Sequence, residues 1–167
     1  MYGYGNPGRQ DDALGILLVD QMEKWVKENH LESIDFDSNY QLNIEDALEI
    51  SEYDVVIFAD ASIEEISDVE ISRVIPCQKT EFTMHAMAPE FVLHLCQSLY
   101  GKFPDTFLLH IKGYEFDFLG QLSNRAENNL NIGLELLKGL FSKSINPVES
   151  ICKYIDARDE KINIALS

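Results

Sequence analysis

Between Asp12 and Asn29 the apolar residues Leu14, Leu17, Leu18, Met22, Trp25 and Val26 recur at helical spacing, which predicts a first helix over about 12–29. The residues before it, Gly3-Tyr4-Gly5-Asn6-Pro7-Gly8, have the chemistry of a turn. Asp54-Val55-Val56-Ile57-Phe58-Ala59-Asp60 places five apolar residues in a row between two acids, the pattern of a strand buried on both faces. Two further strands are expected at 69–75, stopped by Pro76, and at 106–112, which carries Phe107, Leu108, Leu109 and Ile111. A helix over 89–100 lies between them, with Pro89 in its first turn and Gly101 just past its end. Ser123 caps a long helix marked by Leu130, Leu134, Leu137 and Phe141, and Val148 to Ile155 forms a short one. From Asp156 onward a peripheral tail is expected. The stretch 33–42 mixes alternation with Asn and Asp and predicts a strand near 40–43, followed by a short helix at 45–50.

Strands alternating with helices imply an α/β protein with a mostly parallel sheet wrapped in helices, and a length of 167 residues suits one such domain. Ligands in open α/β sheets sit beyond the carboxyl ends of the strands. One oddity lies there: only Met1 and Tyr2 precede Gly3, too little for the hydrophobic strand that should feed the glycine loop. That first strand is expected to be either vestigial or trimmed.

Charge narrows the class of partner. Thirteen Lys and Arg against 29 Asp and Glu give a formal charge of −16, which disfavours nucleic acid and anionic membrane surfaces. The same acidity suits a cation or a metal-bearing protein partner, and it also serves solubility alone. The N-terminus lacks a basic region followed by an apolar stretch, and no run approaches about 18 consecutive apolar residues, so a cytoplasmic location is expected. Cys77, Cys96 and Cys152 are widely spaced with no CxxC pair, and buried free thiols are expected.

Three residues with metal-ligand chemistry stand at element junctions: Asp12 between glycine loop and first helix, Asp60 at the end of the clearest strand, and His85 in the loop before the helix at Pro89. Two carboxylates and an imidazole suit a divalent nickel, zinc, iron or manganese ion. Each has a plainer alternative. Asp11 or Asp12 could cap a helix, Asp60 could open a turn, and His85 could be an ordinary interior or loop histidine. His30, His94 and His110 are explained by a helix end, a helix and a strand respectively. No GxSxG elbow or recognisable cysteine nucleophile occurs, so any hydrolysis should be metal-assisted. The glycine loop lacks the full dinucleotide spacing, and its other use is to let a foreign backbone come close.

The segments GYGNPGRQDDALG, VVIFADAS, FTMHAMAPEFVLHLCQSLYG and IKGYEFDFLGQLSNRAENNL, in that order over roughly residues 3–140, resemble the [NiFe]-hydrogenase maturation protease family. The resemblance implies a single three-layer αβα domain. It also implies an endopeptidase that removes the C-terminal extension of a hydrogenase large-subunit precursor after nickel insertion. The family's nickel-binding residues fall on Asp12, Asp60 and His85, with Gly5 and Asn6 in the substrate-binding loop. The nickel would be carried by the substrate, with another divalent metal as an alternative occupant of the free enzyme. Whether the trio is catalytic or only senses nickel is left open. Many members follow the first acid with Gly, whereas here Ala13 follows Asp12; counting from Gly5-Asn6 and forward to Gly15 favours Asp12 over Asp11. Two rivals share features of this chain. Peptidyl-tRNA hydrolases also open with a Gly-x-Gly-Asn-Pro-Gly loop, but the charge of −16 opposes tRNA binding. A non-enzymatic nickel chaperone or scaffold could use the same three ligands.

Overall fold

The computed structural model describes residues 1–77, 87–142 and 147–165. Its strands are β1 (Tyr2–Tyr4), β2 (Asp37–Asn39), β3 (Val55–Ser62), β4 (Val69–Arg73) and β5 (Asp105–Lys112). They form one sheet in the order β2-β1-β3-β5-β4, with β4 antiparallel to β5 and the other neighbours parallel. The helices are α1 (Leu14–Glu28), α2 (Asp46–Ile50), α3 (Pro89–Leu95), α4 (Asn124–Ser142) and α5 (Pro147–Ala165).

The uninterrupted apolar run of β3 follows from what covers the sheet. Ile57 and Ala59 pack with Leu14, Leu18 and Met22 of α1, Leu130, Leu134 and Leu137 of α4, and Ile151 of α5. Val56 and Phe58 pack on the other face with Tyr2, Tyr4 and Leu108, under Ala47 and Ile50 of α2 and Val92 and Leu93 of α3. Because consecutive strand residues point to opposite faces, burial on both sides requires apolar residues without alternation. Helix, sheet and helix make three layers, as the family resemblance implies.

β1, expected to be vestigial or trimmed, is three residues long and fully buried, hydrogen-bonded between β2 and β3. Other elements differ from the sequence-based expectation. The strand expected near 40–43 lies at Asp37–Asn39 instead. All three of its residues are exposed, so no hydrophobic pattern marks it; its place comes from backbone pairing with β1. The helix beginning at Pro89 turns into a wider π segment, Cys96–Tyr100, and stops at Gly101 in the left-handed region with φ 62. α5 runs on to Ala165, through the segment expected to be a tail, and Arg158 donates to Ile71 O of β4 at 3.1 Å while pairing with Glu70. Of the three cysteines only Cys96 is buried; Cys77 is exposed, and the half-buried Cys152 Sγ accepts from Arg73 Nη2. No helix among the described residues is long and apolar enough to cross a membrane.

Candidate metal and substrate crevice

β1 has β2 on one side and β3 on the other, although the chain visits β2 before β3. The connections therefore leave β1 in opposite directions, which opens a crevice at the carboxyl ends of β1 and β3. β1 stops at Tyr4, whereas β3 continues to Ser62. Gly3 is paired with Ala59, so Asp60 lies just where the shorter strand gives out. On the far side β3 stays paired, Asp60 opposite His110 and Ser62 opposite Lys112.

Asp12 reaches the same place from the turn after β1. Residues Gln10–Ala13 form one turn of 3-10 helix before α1. The entry to α1 is pinned because Gly15 rests directly on the backbone: a Cβ there would collide with the carbonyl oxygens of Ala59 and Tyr4. With Gly15 seated on both strands, Asp12 is held above their ends. Its Oδ2 accepts from Asn6 N at 3.1 Å, closing the glycine loop onto it. Gly5 has φ 137, and a Cβ would overlap the Asp12 carbonyl, so only glycine lets the loop turn here. Asn6 Oδ1 in turn accepts from Gly8 N at 2.9 Å.

Asp60 is partly buried and its carboxyl is pushed up to about 7. Burial is the largest cause, and the nearby Asp12 charge acts in the same direction; hydrogen bonds from the Tyr4 hydroxyl and the Ala61 backbone pull it back. Tyr4 is 8% exposed, and it follows Gly3 as Asp60 follows Ala59, so the two side chains leave the same face of the sheet. Burial and the adjacent Asp60 carboxylate hold the Tyr4 phenol well above its ordinary value, so it stays a hydrogen-bond donor. No described cation forms an ion pair with Asp60. Two carboxylates of like charge facing one crevice without a basic partner have the electrostatics of a cation site.

Asp11, by contrast, is fully buried and saturated. Its oxygens accept from Tyr114 N at 2.8 Å, Glu115 N at 2.9 Å, Ser123 N at 2.7 Å and Ser123 Oγ at 2.8 Å. Burial would raise its pKa, but these hydrogen bonds outweigh it and hold the carboxyl below the usual range. The adjacent acids thus part company: Asp12 faces the crevice, and Asp11 ties down the loop between β5 and α4.

His85 lies outside the described residues, as does the rest of 78–86. No cluster of three metal-ligating side chains occurs among the described residues. The other histidines are placed as expected: His94 Nε2 meets Ser98 Oγ at 3.3 Å, His110 Nε2 meets Ser72 Oγ at 3.1 Å across the sheet, and His30 follows the end of α1. Sequence patterns did not reveal the pairing of Tyr4 with Asp60; the available hint was the period of two that puts Tyr2 and Tyr4 on one face. A cavity of about 620 Å³ opens at the opposite end of the sheet, lined by Met1, Leu31, Asp54, Val55 and Phe141 among others. It lies at the amino ends of β1 and β3, away from the edge where α/β sheets place their ligands.

No family profile and no curated protein matches the sequence. Solved structures do match. The [NiFe] hydrogenase maturation protease HycI from Thermococcus kodakarensis KOD1 gives a TM-score of 0.65 at 20% identity, over 83% of this chain and 88% of that one. The hydrogenase maturating endopeptidase HybD from E. coli gives 0.60 at 21% identity, over 86% and 91%. The hydrogenase 2 maturation peptidase from Thaumarchaeota archaeon SCGC_AB-539-E09 gives 0.56 at 18% identity, over 86% and 97%. At such identities the likeness is one of architecture: the chain has the fold of the [NiFe]-hydrogenase maturation proteases.

Proposed function

We propose that this protein is an endopeptidase that removes the C-terminal extension of a [NiFe]-hydrogenase large-subunit precursor after nickel insertion, using the substrate-bound nickel as its recognition element. The observation that carries the proposal is the convergence of Asp12 and Asp60 on one crevice at the strand switch point, with no described cation paired to Asp60. The shared fold of hydrogenase maturation proteases supports it.

In this mechanism the precursor brings its nickel into the crevice, where Asp12 and Asp60 offer carboxylate oxygens and His85 an imidazole. The metal neutralises two acids that repel each other when the crevice is empty. Nickel seated this way can polarise the scissile carbonyl or acidify a water, and a neighbouring carboxylate can accept the proton. Gly5, bare of a side chain, and the Asn6 amide let the substrate backbone lie against the loop. A cytoplasmic location is part of this proposal, supported by an N-terminus without a basic region followed by an apolar stretch.

The test is cleavage of purified precursor, nickel-loaded and nickel-free, by the wild type and by Asp12→Asn, Asp60→Asn and His85→Ala. Multiple turnovers on loaded precursor only, with each variant slowed about a hundredfold or more, are expected. Wild-type rates in all three variants would sink the site. Nickel transfer with no peptide product would favour a chaperone.

A further inference from the structure

We infer that the loop between β5 and α4, residues 113–123, is a substrate-docking element in which Phe118 and Leu119 seat an apolar side chain of the extended polypeptide being cleaved. This rests on the proteolytic function proposed above. The loop has no secondary structure, yet it is tied down along its length. Asp11 holds Tyr114, Glu115 and Ser123 through four hydrogen bonds. Arg9 Nε donates to Phe116 O at 3.1 Å, and its guanidinium lies 5.2 Å from the centre of the Phe118 ring. Gln10 uses both ends of its amide, donating to Glu115 and accepting from Asp117 N. At the end next to β5, Arg125 also stacks on Tyr114 at 3.8 Å, and Asn129 Nδ2 donates to the Tyr114 hydroxyl.

What this bracing presents is apolar and strained. Phe118 is 71% exposed and Leu119 97% exposed. Leu119 has φ 64, in the left-handed region where a leucine is disfavoured. A surface position gains nothing in stability from an exposed leucine in that conformation, and strain of this kind collects at ligand contacts. A loop whose backbone is already held, by contrast, offers its apolar side chains with little backbone ordering cost on binding.

Position selects the occupant. Leu119 N donates to Gly8 O at 3.1 Å, Gly8 N to Asn6 Oδ1 at 2.9 Å, and Asn6 N to Asp12 Oδ2 at 3.1 Å. Three successive hydrogen bonds thus join the loop tip to the crevice. The loop also leaves β5 beside the Asp60 strand, with Gly113 N donating to Ser62 O at 3.0 Å. A polypeptide lying across the crevice therefore meets the tip close to its scissile bond. Glu115 and Asp117, on the same loop, make the seat unfavourable for an acidic segment, and the Arg9 guanidinium already lying on the Phe118 ring opposes a basic one, which leaves an apolar side chain as the fitting occupant.

The test measures KM and kcat on nickel-loaded precursor, together with Tm, for Leu119→Gly, Leu119→Asn, Phe118→Ala and the control Phe103→Ala. Phe103 is 74% exposed and precedes β5 at the opposite edge of the sheet. Glycine and asparagine both accept a left-handed backbone, so the two Leu119 variants should melt at or above the wild-type temperature. KM is expected to rise about tenfold in the Leu119 and Phe118 variants, with kcat within about twofold and Phe103→Ala unchanged. Wild-type KM in the Leu119 and Phe118 variants overturns the inference while leaving the protease assignment standing. So does a KM change that tracks a lowered Tm, or an equal effect in Phe103→Ala. A wild type that neither binds nor cleaves the precursor removes both.

Discussion

Asp60 is held in the fold at an electrostatic cost. Its folded pKa of about 7 stands above the unfolded value of about 3.9. The sign follows from linkage: the group's contribution is fully present below about pH 4 and is lost as pH rises through 7, because the folded protein binds the proton more tightly. Metal-free Asp60→Asn should therefore gain on the wild type between about pH 4 and pH 7 and hold that advantage above, by on the order of 4 kcal/mol. Urea denaturation near pH 5 and near pH 8 measures it, and a gap that shrinks toward pH 8 would contradict the assignment. Asp12 and Asp60 could be picked out in the sequence because each stands at the boundary of a recognisable element. The work of Asp11 and Tyr4 could not. The partners of Asp11 lie about a hundred positions away, and the Tyr4 hydroxyl finds Asp60 only through sheet register.

At the scale of elements, the seating of α1 on β1 and β3 decides where the site forms. Helix propensity alone would favour Gly15→Ala by about 1 kcal/mol. Here the methyl would meet the Ala59 and Tyr4 carbonyls, backbone atoms with little room to yield, so a net loss of roughly 2 kcal/mol is expected from chemical denaturation. A stabilised Gly15→Ala protein would mean that α1 does not rest on the strands as described. Long apolar elements were legible in advance: β3, β5, α1 and α4 all lie within a few residues of expectation. β2 was not, because an exposed three-residue edge strand buries nothing and owes its position to hydrogen bonds with β1. α5 was underestimated for a related reason. Beyond Ile155 the described contacts that hold the helix are polar, Arg158 with Ile71 O and Glu70, and leave no apolar stripe to read.

The whole molecule carries a formal charge of −16, and that much like charge on one domain repels itself in the compact state. Raising sodium chloride from about 10 mM to about 0.5 M shortens the screening length several-fold and should raise Tm by about 3 °C at neutral pH. A Tm that falls with salt would instead mean that attractive surface pairs dominate. Composition and hydrophobic periodicity determined the α/β class and the sheet wrapped by helices, since burial on one face or two writes itself directly into residue spacing. Ordered motifs pointed to the family and to Asp12, Asp60 and His85. Only the tertiary structure decided which of two adjacent aspartates faces the crevice, that Tyr2–Tyr4 pairs as a strand between β2 and β3, and that the loop at 113–123 is braced against the turn carrying Asp11 and Asp12. Those outcomes depend on contacts between segments far apart in the chain, and no local spacing encodes a partner that folding alone brings near.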